Sequence, residues 1–183
     1  MYEGEEPLKS DMHALRPCKD NVNSARGNNP FNEVVDTEAA TWYWQDIGTS
    51  NIPSSNIDEY SENHTSYFEP REDRKGDIAR TMFYFYTMYS DIADDDFFEV
   101  QREILQIWHS QDLIDEDEIE RTWQIADYQE NKPNPFILDE TLVERAYFYD
   151  GFILGDMNGD GELNILDAVA LMNMILYSGE TNP

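Results

Sequence analysis

Near the end of the chain, oxygen-bearing side chains fall at the spacing that a hard divalent cation demands. Asp156, Asn158 and Asp160 occupy alternate positions, Gly161 follows where the backbone must turn sharply, and Glu162, Asn164 and Asp167 complete the loop. Ca²⁺ takes about six to eight oxygens from such a loop, one of them a backbone carbonyl. In this register Asp156, Asn158, Asp160, Glu162 through its carbonyl, Asn164 and Asp167 are candidate Ca²⁺ ligands. The alternative is an Asp/Asn/Gly-rich turn that holds no metal.

A second group of residues could handle phosphate. Of the twelve Lys and Arg residues, eight lie in two short segments, residues 9–26 and 71–80, within a chain of net charge −27. Overall acidity repels polyanions. If the two segments meet in space, however, a local basic patch results, and polyanion binding there would depend strongly on salt. Arg16, Arg26, Lys75 and Arg80 are the candidate phosphate contacts. For Arg16 and Arg26 the alternative is a solvated loop charge. For Lys75 and Arg80 it is a helix-terminal ion pair with Glu72, Asp73 or Asp77.

The elements that must position these groups are legible from periodicity and breakers. Residues 1–70 are rich in Asn, Ser, Pro and Gly and read as loops with short strands or a short helix. From Arg71, apolar residues recur at helical spacing, with Ile78, Met82, Phe85 and Tyr89 on one face. Phe98, Ile104, Leu105 and Trp108 repeat the pattern over residues 95–109. A third helix is predicted over 115–129, opening on acidic residues that suit the helix dipole, and a last short one over 140–148. Pro133 and Pro135 predict an extended break between them. Phe83, Tyr84, Phe85 and Tyr86 suit a helix buried on much of its surface, and Trp108 and Trp123 read as packing residues. Gly151 and Gly155 mark a linker, which places domains at 1–150 and 151–183.

Composition excludes several classes. The abundant aromatic residues argue against a disordered acidic tail. The single cysteine, Cys18, permits no internal disulfide. No apolar stretch approaches the roughly 20 residues a membrane span needs. Residues 1–20 lack the basic and apolar regions of a signal peptide.

Two resemblances add to this reading. The string D-x-N-x-D-G-x-x-N-x-x-D from Asp156, followed by Ala168-Val169, Leu171 and Ile175-Leu176, resembles one half of a dockerin repeat; its closing Asp167 departs from the Glu of the EF-hand pattern. The resemblance implies attachment to a cohesin-like scaffold, although dockerins carry two such units and one is found here. Three further strings resemble the bacterial endonuclease I family of secreted or periplasmic nucleases. They are Ser10-Asp11-Met12-His13-Ala14-Leu15-Arg16-Pro17 continuing through Val22-Asn23-Ser24 and Arg26-Gly27-Asn28; Tyr67-Phe68-Glu69-Pro70-Arg71 with Lys75-Gly76-Asp77-Ile78-Ala79-Arg80; and Trp108 through Gln129, Asn131 and Asn134-Pro135-Phe136 to Leu142-Val143-Glu144.

That second resemblance implies an α+β, predominantly α fold: a partial ββα-metal nuclease domain with a helical bundle, here followed by the calcium loop and its helix. It implies cleavage of DNA, and often RNA, with Mg²⁺ against the scissile phosphate. By position in the motif Asn23 is the metal ligand, and His13 supports the site through hydrogen bonding. The alternative for Asn23 is a helix cap or turn residue. In the family the general-base histidine forms a Glu-His pair several tens of residues before the D-x-H string, and only ten residues precede Asp11 here. The expectation is therefore an N-terminally truncated nuclease domain of impaired activity. The competing expectation is a non-catalytic calcium-binding or scaffold-attachment protein with residual nuclease ancestry.

Overall fold

The first seventy residues hold the expected short elements in this computed structural model, which describes residues 8–148, 155–158 and 162–177. Helix α1 spans Asp20–Arg26 and stops at Gly27, whose φ of 56° and ψ of −120° suit a residue without a Cβ. Strands β1 (Thr41–Trp44), β2 (Ile47–Thr49), β3 (Ser61–Asn63) and β4 (Phe68–Glu69) form one antiparallel sheet in the order β2-β1-β3-β4. Helix α1 lies beside β3. Trp42, Glu62 and Glu69 stand opposite one another across three strands, and all three are buried.

Helices α2 (Lys75–Met88), α3 (Asp95–Gln111), α4 (Glu116–Ala126) and α5 (Pro135–Leu138) build the body beside the sheet. Their starts are written in the sequence. Asp94 accepts the Phe97 amide at 2.9 Å, Asp115 the Glu118 amide at 2.8 Å and Asn134 the Phe136 amide at 2.9 Å, each satisfying a donor the helix itself leaves open. Helix α4 ends before residue 129 because Glu130 and Asn131 take positive φ. Pro135 begins a helix where an extended break was predicted: at the first helical position a proline sacrifices no hydrogen bond. Residues Glu144–Phe148 form one π turn rather than the end of a helix over 140–148.

The core gathers Phe83, Phe98 and Phe136, with ring centroids 5.8 and 6.1 Å apart, together with Leu105 and Trp108. Two sequence readings need correction. In α2 the buried face carries Asp77, Ala79, Arg80, Thr81, Phe83 and Tyr84, whereas Ile78, Met82, Phe85 and Tyr89 are half-buried. Apolar periodicity missed it because the buried stripe includes an ion pair. Trp123 is 50% exposed and is not a packing residue like Trp108.

The chain divides into two units, Met1–Val143 and Glu144–Pro183. The second holds helix α6 (Ile165–Tyr177). No helix among the described residues is long and apolar enough to cross a membrane. The fold is α+β, with helices predominating.

Candidate nucleic-acid interface

Most of the residues that sequence reasoning picked out are consumed in holding the fold. Asp11 accepts hydrogen bonds from Tyr84 (2.8 Å), Tyr89 (2.7 Å), the Gln129 amide (2.9 Å) and the His13 backbone N–H (2.9 Å). Burial works to raise its pKa, but these donors together hold it below the usual carboxylate value. His13 is buried beside Tyr84, and its Nε2 donates to the Lys132 carbonyl at 2.9 Å. Burial lowers its pKa, which keeps the ring neutral. The D-x-H string thus pins the N-terminal segment onto the helices. It supports the site only as a brace, not as a group presented to a substrate.

The two basic segments do meet, but through carboxylates. Arg16 donates to Thr81 Oγ1 (2.9 Å) and Glu118 (3.1 Å) and pairs with Asp77 (3.4 Å). Arg80, fully buried, donates to Glu118 (3.0 Å) and to the Asp112 carbonyl (2.7 Å). Lys75 lies among Glu69 (2.8 Å), Glu72 (2.7 Å) and Glu33 (2.9 Å), with its ammonium 5.4 Å from the Trp108 ring centroid. Burial alone would lower its pKa; those three carboxylates outweigh it and raise the pKa. The reading of Arg16, Lys75 and Arg80 as phosphate contacts is therefore corrected. Their charge is already neutralised at short range, and a phosphate would have to displace buried partners. Between Lys75 and Asp77, Gly76 lets the backbone approach: a Cβ there would sit 2.2 Å from the Asp112 carbonyl oxygen. The K-G-D string is a packing signature.

What remains is α1. Asn23 is exposed, and its side chain makes no hydrogen bond among the described residues. Arg26 lies three residues on, hence on the same helix face. Its guanidinium carbon stands 4.4 Å over the Phe31 ring, and its Nε has no hydrogen-bond partner. Burial lowers its pKa against a small opposing pull from Cys18, but a guanidinium stays charged. A cation stacked on an aromatic ring with donors unspent is suited to a phosphate oxygen. An exposed, unengaged amide oxygen fits a hard ion that keeps water and substrate oxygens as its other ligands, as Mg²⁺ does. No group of three or more His, Cys, Asp or Glu among the described residues has the arrangement to hold a metal.

Beneath the sheet a different feature was invisible in the sequence. Glu62 is buried with its Oε2 unpaired, facing Glu69 across the strands. Burial first, then the charges of Glu69 and Asp36, push its pKa from 4.5 to about 8. A raised carboxyl favours the protonated folded state, so its contribution to stability falls as pH rises from 4.5 to about 8. Glu62→Gln, which keeps the shape and removes the titration, should melt higher than the parent at pH 9 and nearly level with it at pH 5. Equal melting temperatures at pH 9 would show that Glu62 carries no such burden.

In the second unit, Asp156 and Asp167 are buried side by side within hydrogen-bond reach. Asp167 accepts the Met157 and Asn164 backbone N–H groups at 2.9 and 2.8 Å, and Asn164 Oδ1 accepts from Leu166. The Asn164 amide leads the bonds that lower the Asp167 pKa. Both carboxylate oxygens of Asp167 are thus engaged by backbone amides. Asp160 lies outside the described residues.

The family model described as Endonuclease I matches residues 1–140. The chain belongs to the endonuclease I family. Two extracellular ribonucleases match it. That of Bacillus subtilis (strain 168) is 31% identical over 143 residues, covering 70% of this chain and 43% of the relative. That of Bacillus amyloliquefaciens is 33% identical over 142 residues with the same coverage. The chain thus spans less than half the length of these endonuclease I relatives. No solved structure matches.

Proposed function

We propose that this endonuclease I family chain is a metal-dependent nuclease hydrolysing phosphodiester bonds of RNA and DNA, acting outside the cell. One observation carries the reading: where the chain's other candidate phosphate contacts are spent on structure, α1 presents an exposed Asn23 and, three residues on, an Arg26 stacked on Phe31 with no carboxylate partner among the described residues. Asn23 would hold Mg²⁺ through its amide oxygen, and Arg26 would orient a phosphate oxygen. The ion, when bound, supplies Lewis-acid stabilisation of charge developing on the phosphoryl and leaving oxygens. The names of the two relatives favour RNA among the substrates. The purified chain, incubated with RNA and with plasmid in Mg²⁺, is expected to cleave in a manner that chelator abolishes; cleavage that is absent, or indifferent to chelator, contradicts the proposal.

For the second unit we infer a separate binding role, a Ca²⁺ site at Asp156, Asn158, Asp160, Glu162, Asn164 and Asp167, serving attachment to a cohesin-like scaffold. The paired Asp156 and Asp167 carboxylates support it. Calorimetry with Ca²⁺ should give a binding heat that Asp156→Ala removes. Equal heats for the two proteins would remove the assignment.

A further inference from the structure

We propose that His64 and Tyr67, at the tip of the β3–β4 hairpin, form a stacking platform for an unpaired nucleobase. The proposal deepens the nuclease reading and rests on α1 as the phosphate-binding face. The two rings lie nearly parallel, 14° apart in plane, with centroids 5.7 Å apart. Tyr67 is 37% exposed, so a flat aromatic surface is held in water at the turn. Its geometry is set in advance. The His64 backbone N–H donates to the Tyr67 carbonyl at 3.0 Å and closes the hairpin. The Ser66 N–H donates to His64 Nδ1 at 3.2 Å, which fixes the ring, and Nε2 lies 3.4 Å from Thr65 Oγ1.

The platform is also tied to α1. The Asn29 backbone N–H donates to the Arg26 carbonyl at 3.0 Å. The side-chain amide of the same residue donates to the carbonyls of His64 (3.2 Å) and Thr65 (3.4 Å). One residue therefore bridges the end of α1 and the hairpin tip. Tyr67 is followed by Phe68, which pairs with Phe31, the ring beneath the Arg26 guanidinium. A strand whose phosphate rests at Arg26 has a flanking base in the neighbourhood of the tip.

Every nucleobase has a π-face, so a stack of this kind tolerates any sequence. A duplex keeps its bases stacked inward and cannot use it. The platform should thus favour single-stranded segments, RNA loops included.

The test is binding without cleavage, using the full chain in EDTA with a labelled oligothymidylate of about a dozen nucleotides, a typical footprint for such surfaces, and a duplex of equal length. Tyr67→Ala is expected to weaken oligothymidylate binding about tenfold, the usual scale for losing one base stack, while leaving duplex binding unchanged. Tyr67→Phe, which keeps the ring, should bind as the parent does. Arg26→Ala should weaken both ligands and flatten the salt dependence. Tyr67→Ala binding like the parent while Arg26→Ala fails would overturn the platform and spare the α1 reading. A parent chain that binds neither ligand would overturn both. Equal losses for single strand and duplex would also overturn the platform, since a stack that discriminates nothing is not one.

Discussion

Arg80→Ala should cost about 3–5 kcal/mol of stability at neutral pH, the usual price of removing one partner from a buried ion pair. Against a total of about 5–15 kcal/mol for an ordinary domain, that is a large share of the first unit's stability. Arg80 is fully buried and serves Glu118 through two nitrogens and the Asp112 carbonyl through a third. Without it Arg16 is the cation left within ion-pair distance of Glu118 among the described residues. The loss should depend on pH in a defined direction. Burial already pushes the Glu118 carboxyl upward against the pull of Arg80. In the variant the carboxyl is free to take a proton, so acidification from pH 7.5 to pH 5 should return part of the stability. Urea unfolding at the two pH values measures this. A double variant, Arg80→Met with Glu118→Leu, should be more stable than Arg80→Ala at pH 7.5, because no unpaired charge remains. A single-variant loss below about 1 kcal/mol, the scale of an exposed pair, would show that the Arg80–Glu118 contact is incidental.

The fold was partly legible because helix starts are local. Asp94 and Asp115 open α3 and α4 through caps that depend on neighbours in sequence alone; α5, read as an extended break, is capped just as locally by Asn134. The face of α2 was not legible, because burial there follows charge pairing between residues far apart in the chain. Nothing local tells Arg80 that Glu118 will reach it. The same reason hid the fate of Arg16, which was read as a phosphate contact or a solvated loop charge and instead pairs with Asp77 and Glu118. For Lys75 and Arg80 the alternative reading, an ion pair with Glu72, Asp73 or Asp77, was nearer to the outcome than the phosphate reading. Glu62 was passed over because a carboxylate in a strand normally faces water; only the register opposite Trp42 and Glu69 buries it. His64 carried no motif, and its pairing with Tyr67 needs the hairpin to close. Asn23 and Arg26 could be named from the sequence because the surrounding string is a family signature. That the structure leaves them unspent could not.

Asn23→Ala is the variant with the largest expected effect on chemistry. Losing groups that merely orient a metal ligand costs about 10–100-fold in affinity or activity, and removing a ligand itself should cost at least the upper end of that range. The side chain is exposed and makes no hydrogen bond among the described residues, so the fold should survive, and urea midpoints of variant and parent should coincide. Arg26 remains to hold the phosphate, which separates a defect in metal use from a defect in substrate binding. The decisive measurement is the rate of RNA cleavage as a function of Mg²⁺ concentration for the parent chain and for Asn23→Ala. The account predicts that the variant needs far more Mg²⁺ to reach half its maximal rate, or cleaves at no concentration tested. An unchanged Mg²⁺ dependence and rate would contradict it.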